Sequence, residues 1–293
     1  MIKRLIFLVS VLLRVAFITL WERKILSYAQ ARKGPNLVGS LGLLQPFRDG
    51  LKLLTKEKTH WGGNSLILYL SPLCFFFLNF MAWVSLPLSG LQSRRRLLLI
   101  LVLRSLGGVF IFLAGWNGSR SYSFMGGVRS SAQMISYEVV LSFFFLTGWR
   151  MYFSFSFSSS KSYSGRSLRI YFLGALFFFS LWILTLLAET NRAPFDLSEG
   201  ESELVRGFNT EYSSFPFTFL FLGEYSFIVL FSFLSSFIFF DSWLIGSFFC
   251  FLFLWIRACF PRKRYDFLIN DMWIFLFPFI LYFLQLQMVA LFI

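Results

Sequence analysis

The stretch Phe215-Pro-Phe-Thr-Phe-Leu-Phe-Leu-Gly-Glu-Tyr-Ser-Phe-Ile-Val-Leu-Phe-Ser-Phe-Leu-Ser-Ser-Phe-Ile-Phe-Phe240 has 26 residues and one charge, Glu224. About 20 apolar residues in a helix cross a ~30 Å hydrocarbon layer, so this run reads as a membrane span. In lipid the backbone must satisfy its own hydrogen bonds, which leaves helices and closed barrels. A barrel needs ~10-residue alternating segments. The only such pattern is the short Phe153-Ser-Phe-Ser-Phe157, so the expected class is an all-α integral membrane protein.

Working outward, seven more runs share this character. The eight expected spans are Ile2–Trp21, Ser65–Leu88, Leu97–Trp116, Met134–Phe157, Leu168–Ala188, Phe215–Phe240, Ser242–Ile256 and Met272–Ile293. They form one transmembrane domain covering residues 1–293. The first run mimics a signal peptide, but Arg14 interrupts it and no A-x-A-like site follows, so a retained span is expected. Eight spans place the segments near 22–64, 118–133, 189–213 and 257–271 on one side. Those segments carry 16 of the 27 Lys and Arg, and the positive-inside rule puts them on the side where insertion begins. Leu41–Leu54 reads as an amphipathic helix at the membrane surface, and Ser158–Gly165 as a flexible Ser-rich linker.

The net charge of +13 sits beside apolar runs and not in a separate basic domain. Membrane flanking and phospholipid head groups account for it better than nucleic acid does. The 43 Phe are read as compositional bias, since Phe, Ser and Leu share T-rich codons. With three Cys, none in C-x-x-C spacing, and one His, the chain cannot assemble a haem or an iron–sulfur cluster by itself. It also lacks G-x-G-x-x-G and P-loop motifs.

Its 14 acidic residues are unevenly placed. Five of them, Glu189, Asp196, Glu199, Glu201 and Glu203, crowd into Leu187–Val205 among apolar residues. Like charges held close repel, so some should bind protons near neutral pH, as a proton relay needs. Glu138 and Glu224 fall in or beside spans, where a charge costs ~3 kcal/mol on insertion scales and so faces a partner or a wet cavity. Arg14 and Arg104 also lie in spans, where snorkelling or local pairing is expected. Arg23, Arg32, Lys33, Arg129, Arg257, Arg262 and Arg264 stand where the basic segments meet spans. Some should pair with the acidic loop and some should steer a bound ligand. Phe217, Phe221 and Tyr225 recur on one helical face.

Several segments together carry a family resemblance: Trp21-Glu-Arg-Lys-Ile-Leu-Ser-Tyr-Ala-Gln-Ala-Arg-Lys-Gly-Pro-Asn36, Gly42-Leu-Leu-Gln-Pro46, Arg129-Ser-Ser-Ala-Gln-Met-Ile-Ser-Tyr-Glu138, Leu187–Val205 with Gly207-Phe-Asn-Thr-Glu-Tyr212, and Leu254–Asp266. The chain resembles the mitochondrially encoded chain 1 family of proton-pumping NADH:ubiquinone oxidoreductase, respiratory complex I. The resemblance implies an eight-helix, multi-pass subunit of the mitochondrial inner membrane, with its basic loops on the matrix side, joining the membrane and peripheral arms. Ubiquinone is then the substrate, while NADH, flavin and iron–sulfur clusters belong to other subunits.

It further implies a quinone chamber involving Arg23, Asp49, Phe217, Phe221, Tyr225 and Arg257. The coupling path would run through Glu138, Glu189, Asp196, Glu199, Glu201, Glu203 and Glu224, with Arg32, Arg129, Arg192, Arg262 and Arg264 as basic partners. Two positions depart from the family pattern. Arg48 stands beside Asp49 where a small residue is usual, which should hold that carboxylate ionised. Ile274 follows Trp273 where many members carry Lys. The rival reading is an autonomous ion or solute transporter; such proteins often show broken helices and inverted repeats, and none stands out here. A purely structural anchor explains the basic loops but not the acids inside spans.

Overall fold

The computed structural model describes residues 2–57, 65–86, 93–158, 178–197, 200, 204–205, 207–240 and 244–292. These residues form helices and no strands. The principal ones are α1 (Ile2–Ala29), α2 (Gln45–Thr55), α3 (Ser65–Val84), α4 (Ser93–Trp116), α5 (Ser121–Ser158), α6 (Phe178–Glu189), α7 (Ser214–Phe240), α8 (Ile245–Cys259), α9 (Tyr265–Asn270) and α10 (Phe277–Phe292). A π-helical turn, Asp271–Leu276, fuses α9 to α10. Among the described residues, four helical segments are long and apolar enough to cross a membrane: Leu66–Val84, Leu98–Trp116, Ser214–Phe240 and Tyr265–Leu286. Phe178–Glu189 and Ile245–Cys259 are shorter apolar helices. The architecture is that of an all-α, multi-pass membrane protein, and the described part of each expected span is helical apart from Ser85, Leu86 and Leu244 at the ends. The Ser-rich linker lies outside the described residues.

The quoted stretch, α7, is the central helix. Tyr225 through Ser236 are buried without interruption, and α7 packs against α1, α2, α3 and α8. Its buried serines need not disrupt it. Ser226, Ser232, Ser235 and Ser236 each return a hydroxyl hydrogen bond to a carbonyl three or four residues earlier, which satisfies them where no water is at hand. Neighbours are tied to α7 through indole donors: Trp83 Nε1 donates to the Ser226 carbonyl at 3.2 Å, and Trp182 Nε1 to Ser235 Oγ at 3.0 Å.

Local sequence explains the ends. Past α1, Ala31 takes φ 53° and Arg32 N–H reaches back to the Ser27 carbonyl at 2.9 Å, a Schellman closure. Pro46 opens α2. α8 stops at Phe260, held extended (φ −102°, ψ 137°) because Pro261 follows. The expected amphipathic helix is present as α2, with Phe47, Leu51 and Leu54 exposed.

Three boundaries differ from the sequence reading. α1 continues past Trp21 to Ala29, and α9 begins at Tyr265 inside the segment expected to be loop. Most of 118–133, also expected as loop, is the first part of α5. Several of its polar residues mislead because they are buried and bonded within the protein: the Ser130 and Ser131 hydroxyls and the Gln133 side-chain NH2 all donate to main-chain carbonyls. Its two glycines are not breakers but contact points. A Cβ on Gly127 would lie 2.8 Å from Gly115 Cα, and one on Gly126 would lie 2.6 Å from both Gly207 Cα and Phe208 N. Backbone cannot retreat as a side chain can. Gly126→Ala is therefore expected to cost at least the ~1–3 kcal/mol typical of overpacking, read as a lower temperature of thermal inactivation; wild-type thermal resistance would show that this contact is not made.

Candidate functional site

The charged residues inside the helical body are arranged in alternation, each acid against an arginine. At the α4–α6 crossing, Arg104 Nε donates to Glu189 Oε1 at 2.7 Å, and Arg104 also donates to the Glu189 carbonyl. Both side chains are almost fully enclosed, at 4% and 1% exposure. The guanidinium lies over Phe227 of α7, 4.1 Å from the ring centre. Glu189 Oε2 is buried and has no hydrogen-bond partner among the described residues. One oxygen of this carboxylate is thus fixed by a cation and the other is open. Glu138, half-buried on α5, lies within electrostatic reach of both Arg104 and Glu189.

The chain turns at Asn191, which adopts φ 50°, a left-handed geometry that Asn tolerates. This aims Arg192 at α7, where its Nη2 meets Glu224 Oε2 at 2.9 Å. The same guanidinium covers the Tyr225 ring at 4.4 Å from its centre. Tyr225 O–H donates to Glu22 Oε2 at 2.7 Å, and the other oxygen of Glu22 meets the Arg257 guanidinium from α8. Glu22 is buried. A small cavity beside it is bordered by Thr190, Arg192, Ile228, Phe253 and Arg257 among others.

Taken from one end to the other, the sequence of groups is Glu138, Arg104, Glu189, Arg192, Glu224, Tyr225, Glu22 and Arg257. They come from α5, α4, α6 and its following turn, α7, α1 and α8. Burying charges in this way costs several kcal/mol per ion unless they are paired. The alternation of sign supplies that pairing, while Glu189 Oε2 is left available.

The acidic segment is pinned around this network. Gln133 Nε2 donates to the carbonyls of Ala188 (2.8 Å) and Phe195 (3.1 Å). Asp196 lies 3.6 Å from Arg262, and Lys263 N–H reaches the Pro194 carbonyl at 3.0 Å. The segment 189–197 is thus held by the last loop, as the expectation of basic partners for the acids anticipates. Further on, Glu211 accepts from Ser119 and Arg120 main-chain N–H groups at 2.8 and 2.7 Å, placing a carboxylate at the start of α5 where the helix dipole favours one. Next to it, Tyr212 O–H donates to the Ala114 carbonyl. Burial pushes this phenol up to about 12, opposed by a hydrogen bond with Ser71 and reinforced by the Glu211 charge, so it stays a donor at neutral pH.

Other expected site residues lie elsewhere. Phe217 and Phe221 continue the Tyr225 face of α7, with ring centres 4.5 and 6.3 Å apart along the series. Arg23 and Asp49 pair at 2.6 Å between α1 and α2 but are largely solvent-facing. Gln45, not Arg48, supplies the second contact of Asp49. Arg129 lies over the Tyr265 ring. Arg32 donates to Gln30, and Arg264 is exposed at the start of α9; neither meets an acidic side chain among the described residues. Glu199, Glu201 and Glu203 fall outside the described residues.

Two members of the network were not singled out from the sequence as site residues. Glu22 lies in the motif Trp21-Glu-Arg-Lys24, an acid directly after the expected first span, and that position is the one signal the sequence offers. Arg104 was expected to pair locally, whereas its partner Glu189 is 85 residues away.

Comparison with known proteins adds the following. The NADH dehydrogenase family profile matches residues 2–288. A protein of Hyaloraphidium curvatum named NADH-ubiquinone oxidoreductase chain 1 is 40% identical over 302 aligned residues, covering 99% of this chain and 98% of that one. Proteins of the same name from Aedes aegypti and Paracentrotus lividus are 43% and 42% identical, each over 93% of this chain and 90% and 89% of theirs.

Proposed function

The chain belongs to the NADH dehydrogenase family, and from this we propose that it is a membrane-arm subunit of a proton-pumping NADH:ubiquinone oxidoreductase of the mitochondrial inner membrane. In this reading it forms part of the ubiquinone chamber and begins the acidic path that couples quinone reduction to proton translocation. NADH, flavin and iron–sulfur clusters reside in partner subunits, and the segments near 22–64, 118–133, 189–213 and 257–271 face the matrix.

The observation that carries the proposal is the buried alternation of carboxylates and arginines from Glu138 to Arg257. Reducing a quinone to a quinol consumes two electrons and two protons. Electron arrival puts negative charge beside the network before those protons are delivered. Arg257 and Arg192, each already shared with a carboxylate, are attracted toward that charge. Glu22 and Glu224 lose part of their counter-charge and gain proton affinity, because an ionised carboxylate is favoured by a nearby cation and disfavoured without it. Tyr225 joins the two pairs, bonded to Glu22 and stacked under Arg192. The disturbance then reaches Glu189 through the Asn191 turn and Glu138 through Arg104. In this reading the apolar face Phe217–Phe221 lines the tail side of the chamber, Arg23 and Asp49 flank its outer end, and Asp196, Glu199, Glu201 and Glu203 supply further proton-carrying groups on the matrix loop.

Glu224→Gln keeps the shape and removes the anion that holds Arg192. NADH:ubiquinone turnover of the assembled enzyme is expected to fall on the order of tenfold, equivalent to ~1.4 kcal/mol. NADH oxidation by an artificial acceptor, which bypasses the quinone, should be unchanged. Wild-type quinone turnover together with wild-type pumping would refute the proposal.

A further inference from the structure

Arg14 lies in the middle of an apolar helix and belongs to none of the pairs above. It is seven residues before Trp21 and twelve after Ile2, so about 10 Å and about 18 Å from them along α1 at 1.5 Å per residue. Its side chain is on the exposed face of the helix, in line with Ile6, Val9, Leu13 and Phe17, all exposed. Its guanidinium carbon lies 4.9 Å from the centre of the Phe233 ring, and its charge also reaches the buried Cys250 thiol; no acidic side chain pairs with it among the described residues.

That contact leaves the guanidinium hydrogen-bond donors without acceptors. An aromatic face contributes ~0.5–2 kcal/mol to a cation and accepts no set of N–H bonds. Although the residue is exposed, its guanidinium leans back over Phe233 of α7. The cavity beside Glu22 does not include Arg14 among its walls. An ionisable residue in a span ordinarily faces a partner or a water-filled space, and among this chain's described residues Arg14 has no acidic partner. One turn earlier on the same face is Ser10, a small residue whose hydroxyl is turned back to the Phe7 carbonyl. It leaves a notch through which a second helix can approach closely.

We infer that the Ser10–Arg14 face of α1 is a helix–helix interface, occupied in the assembled enzyme by a transmembrane helix of another subunit that presents an Asp or Glu side chain to Arg14. The apolar residues around Arg14 pack the two helices, and the carboxylate completes the guanidinium by the forked hydrogen bonding that Arg and carboxylate share. The inference rests on this chain working inside a multi-subunit assembly, and the size of the complex on a native gel tests that premise separately.

The experiment uses the intact enzyme in its membrane. A benzophenone is attached through Ser10→Cys, and crosslinked peptides are sequenced by mass spectrometry, which separates adducts made through the exposed Cys259. The expected product joins α1 to an apolar segment of another polypeptide that contains Asp or Glu. In parallel, Arg14→Leu removes a charge from a membrane helix, which favours insertion of α1. The crosslinked partner should then be lost from the complex at lower detergent concentration, with retention weakened roughly five- to thirty-fold. Adducts confined to lipid, a partner segment without an acid, or an Arg14→Leu complex as detergent-resistant as wild type would each overturn the inference. A complex absent from the native gel in wild type would instead remove the premise.

Discussion

Replacing Arg104 with Leu abolishes the assembled enzyme, whereas replacing Glu189 with Gln leaves it assembled and inactive toward quinone: these are the expected results. Among the described residues Arg104 is the only cation bonded to Glu189, and it also donates to the Glu189 carbonyl. Without it a carboxylate at 1% exposure is left with no counter-charge, and breaking a buried pair from one side costs ~3–5 kcal/mol. Folded domains have only ~5–15 kcal/mol in hand, so the level of complex on a native gel should collapse. Glu189→Gln removes charge without leaving an ion unanswered in the same degree, because Arg104 keeps an amide oxygen, the Glu189-position carbonyl and the Phe227 face. The double variant Arg104→Leu with Glu189→Leu discriminates structure from function. Removing both charges together is often neutral for stability, so assembly should return while quinone-linked proton translocation does not. Recovery of translocation in that variant would mean that the pair serves only the fold.

The second large effect is expected at Glu22. One oxygen holds the Tyr225 hydroxyl and the other the Arg257 guanidinium, so this carboxylate joins α1, α7 and α8 at one point. Glu22→Gln preserves a hydrogen-bond acceptor for Tyr225 but leaves Arg257 without an anion. Charge-assisted bonds are about twice as strong as neutral ones, and loss of one partner of a desolvated pair costs several kcal/mol. A fall of 10²-fold or more in ubiquinone reduction is expected, ~2.7 kcal/mol in the barrier, with NADH oxidation by an artificial acceptor retained. Tyr225→Phe should fall well short of this, because it breaks a single hydrogen bond while leaving both ion pairs in place. Equal activity of Glu22→Gln and wild type would place Glu22 outside the working site.

The two predictions fall on residues that sequence periodicity handles poorly, and the reason is physical. Hydropathy runs locate helices because burial in lipid acts on ~20 residues at once. α7, α3, α4 and α10 were therefore readable, and so was the amphipathic α2. Helix ends are decided by a few local bonds. The Schellman closure at Ala31 and the continuation of α5 through Ser121–Gln133 depend on contacts that no window of hydropathy contains. Pairings are less legible still. That Glu189 and Glu224 sit where charge is costly can be read from the chain, but that their cations are Arg104 and Arg192 requires the packing of α4 and α7. The Asp196–Arg262 contact agrees with the expectation that basic residues of the last loop meet the acidic segment, since opposite charges on adjoining loops need little precision to find each other. The bonded partners of Asp49 are likewise not its neighbour in sequence, Arg48. Adjacent residues on a helix point about 100° apart, and the space between α1 and α2 brings Arg23 and Gln45 to it instead.

In the proposed function buried carboxylates take up protons when a quinone is reduced next to them, and Glu189, with one oxygen fixed by Arg104 and the other open, is the carboxylate to follow. Redox-triggered infrared difference spectroscopy of the assembled enzyme measures it directly, since a carboxylate that gains a proton acquires a C=O stretching band. The account predicts such a band on quinone reduction in the wild type and its loss in Glu189→Gln. A difference spectrum in the carboxylic C=O region identical in wild type and Glu189→Gln would contradict it.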